Sequence, residues 1–154
     1  MHGEIIDWNE LAKSNKVEFC KKFFNAFRAE NANLVDLFYD KDAVFTDPVG
    51  THKGLNDIKK YYVGIYQPVI DIHFDFNHCI EKDEWVVLSW DMKFRSKKLK
   101  GGREIVTPGM TKVKFSLESN KVCYHVDSYD LGAMVYEHIP ILSIIVKKIK
   151  GLLS

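Results

Sequence analysis

A chain of 154 residues with 46% apolar and 13% aromatic residues holds enough hydrophobic material for one packed domain and is too apolar for disorder. Its 22 basic and 21 acidic residues nearly cancel, so it lacks the electrostatic footprint of a nucleic-acid binder, and neither DNA nor RNA is an expected partner. Cys20, Cys79 and Cys123 are odd in number and far apart, with no C-x-x-C pair or histidine at metal spacing; they predict reduced thiols, no disulfide framework, no metal site and no cofactor.

The N-terminus, MHGEIIDWNELAK, has neither a basic start nor a continuous apolar run, so no signal peptide is expected. No apolar run reaches the roughly 18 residues of a spanning helix. These absences predict a cytoplasmic protein with a single domain over residues 1–154: a core at about 10–132 and a helical tail at about 133–154. From Trp8 to Phe38 apolar residues recur every three or four positions, among them Leu11, Val17, Phe19, Phe23, Phe24 and Phe27, which predicts helices. Asn31 to Asn33 breaks the pattern, and a short second helix restarts in ENANLVDLFY. AVFTD predicts a short strand that Pro48 and Gly50 turn, and Gly54 precedes a third helix, LNDIKKYYVGIYQ, ending near Pro68.

From Val69 onward β-branched and aromatic residues dominate in four runs separated by polar or glycine-bearing turns, predicting a four-stranded meander. Ile70, Ile72, Phe74 and Phe76 alternate with Asp71, His73, Asp75 and Asn77, the pattern of a strand with one buried and one wet face. Helices followed by a long antiparallel sheet make an α+β protein. In the tail, Ile139, Leu142, Ile145, Ile149 and Leu152 return to helical spacing beside Lys147, Lys148 and Lys150. That stripe predicts a helix that caps the domain or packs on a partner subunit, with contact to a membrane surface as the alternative.

Several residue types bear chemistry. Asp47 shares a strand face with Ala43 and Phe45, and a carboxylate in apolar surroundings suits general base work; the competing reading makes it a turn-former that caps local backbone N–H groups before Pro48. His125, Asp127 and Tyr129 share one face of the last strand, placing a histidine and a carboxylate side by side, or else form an outward polar stripe. Trp90, Met92 and Phe94 share a face that either lines a pocket for a hydrophobic ligand or packs as plain core. His52 is read as a loop residue near Asp47.

The segment Tyr39–Tyr62, YDKDAVFTDPVGTHKGLNDIKKYY, resembles the first half of the ketosteroid isomerase and SnoaL-like proteins of the nuclear transport factor 2 superfamily. The likeness is carried by Asp47-Pro48-Val49-Gly50, then Gly54, then Ile58-Lys59-Lys60-Tyr61-Tyr62, and it extends over most of residues 10–132, leaving the tail from Met134 unassigned. It implies a cystatin-like cone, with N-terminal helices packed on a curved antiparallel sheet around an apolar pocket, and a homodimer; the C-terminal helix read from the tail's spacing is added to that cone. It further implies a small apolar, polyketide-like or steroid-like ligand, a general base at Asp47, and supporting tyrosines at Tyr39 and Tyr62. Phe23 and Thr111 stand where the isomerases place their two oxyanion donors, and losing both removes several kcal/mol of transition-state stabilisation, so a steroid isomerase is not expected. SnoaL-like cyclases imply His125 and Asp127 as acid and base. The run HVDSYDLG is similar to the closing strand of limonene epoxide hydrolases, which would give Asp130 the water-activating role, but Trp90 and Met92 stand where those enzymes carry an arginine and an aspartate. The expected ligand contacts are therefore Phe23, Tyr39, Tyr62, Trp90, Met92, Thr111 and Asp130. Set against an acid/base isomerase or cyclase is a non-catalytic dimerisation or protein-binding module using the tail.

Overall fold

The computed structural model describes residues 5–153; Met1–Glu4 of the N-terminal reading and Ser154 of the tail lie outside them. Helix α1 (Trp8–Ser14) is capped by Asp7, which accepts from the Glu10 N–H at 3.1 Å. Asn15 then divides α1 from α2 (Lys16–Ala26): its extended backbone ends the first helix, and its side chain accepts from the Glu18 N–H at 3.0 Å to start the second. The interruption expected at Asn31–Asn33 begins earlier, at Phe27, where the backbone turns extended, and passes through a single 3₁₀ turn to α3 (Leu34–Phe38).

Strand β1 (Tyr39–Thr46) starts directly from α3 and is longer than AVFTD, because Tyr39 already pairs with Val122. A tight turn over Asp47–Gly50 leads into β2 (Thr51–Lys53), antiparallel to β1. His52 therefore sits in a strand opposite Phe45 and not in a loop: the turn spends only four residues, leaving the next three free to pair. Gly54, at φ 82°, precedes α4 (Leu55–Tyr66), a conformation that glycine adopts without strain.

The expected meander is present as β3 (Val69–Lys82), β4 (Trp85–Ser96), β5 (Ile105–Phe115) and β6 (Val122–Tyr129), within a curved six-stranded sheet ordered β2-β1-β6-β5-β4-β3. The sheet departs from the antiparallel expectation at one junction, where β1 runs parallel to β6. A parallel pair needs a long crossover; here α4 and β3–β5 intervene, carrying the chain to the far edge and back. Pro108 pairs with Asp91 of β4 but lies one residue beyond the last β6 partner, so its missing N–H breaks no ladder bond on that side.

Helix α2 lies across the concave face with Phe19, Phe23, Phe24 and Phe27 on one buried stripe. Phe23 stacks on Phe38 at 3.9 Å between ring centroids and meets Tyr39 and Tyr62 edge-on. The same helix closes the open edge of β3. Asn25 exchanges hydrogen bonds with both the N–H (2.8 Å) and C=O (3.1 Å) of Phe74, and the Arg28 guanidinium donates to the Ile72 C=O at 2.9 Å. These bonds supply the partners that an edge strand otherwise leaves to water or to another chain.

After β6, α5 (Leu131–Met134) and a 3₁₀ turn lead to α6 (Pro140–Leu153). This helix does not cap the domain with its apolar stripe. Its one buried residue is Ser143, whereas Ile141, Ile144 and Leu152 are 74%, 70% and 80% exposed. Lys150 bonds Asp130 at 3.2 Å and the half-buried Val146 lies beside Gly132, so α6 docks by the face of Ser143, Val146 and Lys150 and turns most of its aliphatic side chains outward. Among the described residues no helix is long and apolar enough to cross a membrane.

Candidate functional site

Between α2, α4 and the concave sheet lies a cavity of about 130 Å³. Strand alternation builds its wall. Trp90, Met92 and Phe94 enter together from β4, Ile72 and Phe74 from β3, and Asp127 and Tyr129 from β6, while Phe45 and Asp47 come from the end of β1. Tyr62 and Tyr66, one helical turn apart, close it from α4, and Met134 of α5 sits at its rim. Trp90 lies flat over Gly109 of the neighbouring strand, where any Cβ would stand 2.2 Å from the indole.

Asp47 is buried, and the structure joins the two sequence readings of it. Its Oδ1 accepts from the N–H groups of Val49 (2.9 Å) and Gly50 (3.1 Å), as a turn-former does; its Oδ2 accepts from the Tyr61 hydroxyl and, at 3.4 Å, from the Tyr129 hydroxyl, while the residue lines the cavity. Burial, and next the bond to Asp47, push the Tyr61 phenol well above its usual value, and burial followed by the charge of Asp47 does the same for Tyr129. Both hydroxyls thus stay protonated and available as donors at physiological pH. The Tyr129 contact is long for an O–H···O bond, so this donor is the more easily redirected.

The second carboxylate stands at the head of a buried chain. His125, 0% exposed, approaches Asp127 Oδ1 with Nε2 at 2.6 Å and the Tyr39 hydroxyl with Nδ1 at 2.6 Å; Tyr39 in turn meets the Tyr62 hydroxyl at 2.8 Å. From the other side Trp90 Nε1 donates to Thr111 Oγ1 at 2.9 Å, and Thr111 donates to the same Asp127 oxygen at 2.6 Å. One polarity uses every donor: Tyr62 to Tyr39, Tyr39 to Nδ1 of His125, Nε2 of His125 to Asp127, with Trp90 and Thr111 converging there too. The reverse polarity would leave the Tyr62 hydroxyl with no acceptor among the described residues. Burial raises the phenols of Tyr39 and Tyr62 well above their usual value, so this chain also keeps its protons. Asp127 Oδ2 has no protein partner among the described residues, and Asp127 lines the cavity.

Of the residues singled out from sequence, Asp47, Tyr62, Trp90, Met92 and Asp127 form wall. Tyr39, Thr111 and His125 lie directly behind it, joined to it by hydrogen bonds rather than facing the cavity. Phe23 is packed into the core stack against Phe38 and does not reach the wall. Asp130 also falls outside: one position after the inward Tyr129, its carboxylate caps α5 through the Ala133 N–H (3.0 Å) and holds Lys150. Tyr61 was not picked out from sequence as a donor to Asp47. The usable signal is its place three residues after Ile58, on the helix face that also carries Tyr62, Ile65 and Tyr66. Among the described residues no three of His, Cys, Asp or Glu converge as a metal site.

The model of the SnoaL-like domain matches residues 20–125, a span that runs from within α2 to the middle of β6. The chain belongs to the SnoaL-like family. Solved structures share the nuclear transport factor 2-like architecture. A Shewanella putrefaciens CN-32 protein described as a SnoaL-like polyketide cyclase is 19% identical, with 92% of this chain and 99% of that one covered at a TM-score of 0.68. A hypothetical protein with a ketosteroid isomerase-like fold from Catenulispora acidiphila DSM 44928, in complex with trimethylamine, is 12% identical over 81% of this chain and 92% of its own, at 0.67. An NTF2-like protein of unknown function from Burkholderia pseudomallei K96243 is 13% identical over 84% and 98%, at 0.65. At these identities the likeness carries the fold alone. No curated protein resembles the chain closely enough to match it.

Proposed function

We propose that this SnoaL-like domain binds a small, largely apolar molecule and moves a proton on it, as an isomerase or cyclase does. The observation that carries the reading is Asp127: a cavity-lining carboxylate with one oxygen held by His125 and Thr111 and the other without a partner among the described residues. In this reading the free oxygen removes a proton from a carbon next to a carbonyl, the C–H electron pair passes into the enolate, and the same carboxyl returns the proton to a different carbon. His125 and Thr111 hold the carboxylate in place. Tyr129, the looser donor to Asp47, is the hydroxyl best placed to turn toward the developing oxyanion. Asp47, whose oxygens accept four hydrogen bonds, serves as the second carboxylate and anchors Tyr61 and Tyr129. The size argues for a ligand of about one ring, since a cavity of about 150 Å³ takes a single benzene.

The test is deuterium exchange at the α-carbons of cyclohexanone and cyclohexenone in D₂O, followed by proton NMR. The domain is expected to accelerate exchange over buffer, and Asp127→Asn to remove about a hundredfold or more of the acceleration. An Asp127→Asn protein that exchanges as fast as the parent would overturn the assignment.

The tail favours a second component, a homodimer made through α6. Two copies packed by the stripe of Ile141, Ile144, Ile145 and Leu152 bury aliphatic surface on both sides. The alternative, an anionic membrane, is offered only Lys147, Lys148 and Lys150 at about 1 kcal/mol each. Sedimentation is expected to show a dimer that Ile144→Glu converts to monomer without unfolding. A monomeric parent that instead co-sediments with anionic vesicles would give the helix to the membrane.

A further inference from the structure

Resting on the reading of this cavity as a ligand site, we propose that its occupant carries a small substituted ammonium group. The wall contains two carboxylates, Asp47 and Asp127, and no lysine, arginine or histidine. The groups bonded to them are the Val49 and Gly50 N–H groups, the Tyr61, Tyr129 and Thr111 hydroxyls and the His125 ring, with no lysine or arginine among them. Lys150 is turned to Asp130 on the outer surface. The cavity wall therefore presents two carboxylates with no lysine or arginine beside them among the described residues, and a charge taken out of water is costly until paired.

The rest of the wall suits the same guest. Phe45, Tyr62 and Tyr66 form one contiguous run of rings, with centroid separations of 5.4 and 6.1 Å. Phe74, Trp90 and Tyr129 form another, at 5.2 and 6.4 Å. Aromatic faces attract alkylated ammonium, whose methyl groups shed water readily while the charge remains. An anionic guest meets the opposite: two carboxylates, and donors already spent, the Trp90 indole on Thr111 and the Tyr62 hydroxyl on Tyr39. Charge and lining thus rank ligands of one shape as cation, then neutral molecule, then anion. A volume of about 130 Å³ admits a trimethylammonium head on a short arm.

The test uses the full chain and an isosteric pair, choline and 3,3-dimethylbutan-1-ol, which differ by one nitrogen for carbon and hence by one charge. Both are titrated by NMR, with cyclohexanone as the neutral ring ligand. Choline is expected to bind at least about tenfold more tightly than its isostere, with contacts between its methyl protons and the Trp90 ring. Asp127→Asn is expected to weaken choline by a similar factor and leave the alcohol unchanged; Asp47→Asn is the second variant should the first fail to fold. Equal affinity for the pair, or cyclohexanone binding without choline, overturns the ammonium inference and leaves the cavity reading intact. Binding of none of the three overturns the cavity reading itself. Choline binding that ignores both aspartate variants and lacks contacts to Trp90 places the cation elsewhere and also overturns the inference.

Discussion

Replacing His125 with leucine is expected to cost about 1–3 kcal/mol of stability, the range for leaving a buried polar group without its partner, and to lower the melting temperature by roughly 5–10 °C. Leucine is close to histidine in volume, so the loss does not arise from a large void. It arises because the ring serves two groups at once: it donates to Asp127 at 2.6 Å and accepts from Tyr39 at 2.6 Å. Without it, Asp127 keeps Thr111 as its one donor among the described residues and the Tyr39 hydroxyl loses its acceptor inside the core. Urea titration of His125→Leu, Asp127→Leu and the double variant measures the coupling. The double variant is expected to be more stable than His125→Leu, because removing the carboxylate also removes the charge left under-bonded. A loss below about 1 kcal/mol in the single variant would mean that the chain of hydrogen bonds contributes little.

Gly109→Ala is expected to destabilise the protein by about 1–3 kcal/mol and, more tellingly, to impair the cavity. The added methyl would stand 2.2 Å from Trp90 Cη2 and 2.5 Å from Cζ3, so the indole must leave its place over the strand. Because the indole lines the cavity, its displacement changes the wall, lengthens the 2.9 Å bond from Nε1 to Thr111 and loosens the hold on Asp127. Near-ultraviolet circular dichroism should report the displaced tryptophan, and ligand titration the lost volume. Trp90→Phe in the Gly109→Ala background removes the clash and is expected to restore part of the stability, a coupling that a general strand-propensity effect would not produce. Unchanged ligand affinity in Gly109→Ala would mean that Trp90 does not shape the ligand site.

The periodicities that define this fold were open to reading in the sequence. The 3–4 spacing through Leu11–Phe27, the period of two through Ile72–Phe76 and Trp90–Phe94, and the Asp47–Gly50 turn are local signals, each set by the geometry of a few adjacent residues. They place helices first, a meander after, and Trp90 with Met92 and Asp127 with Tyr129 on shared faces. The SnoaL-like resemblance likewise followed from a contiguous stretch, Tyr39–Tyr62. What sequence left undecided is everything that depends on which faces meet across the fold. Only the parallel pairing of β1 with β6 brings Tyr39 to His125, 86 positions later, and makes His125 a buried link rather than part of an outward stripe. Only the approach of α4 to the Asp47 turn makes Tyr61 a donor to that carboxylate, while the α2 stack draws Phe23 into the core and away from the wall. The end of β6 turns Asp130 outward, where it binds Lys150, and α6 docks by the face of Ser143, Val146 and Lys150, so an aliphatic stripe legible in sequence remains uncovered. Local periodicity specifies the face a side chain occupies; the partner on that face comes from residues distant in the chain, and tertiary packing alone decides it.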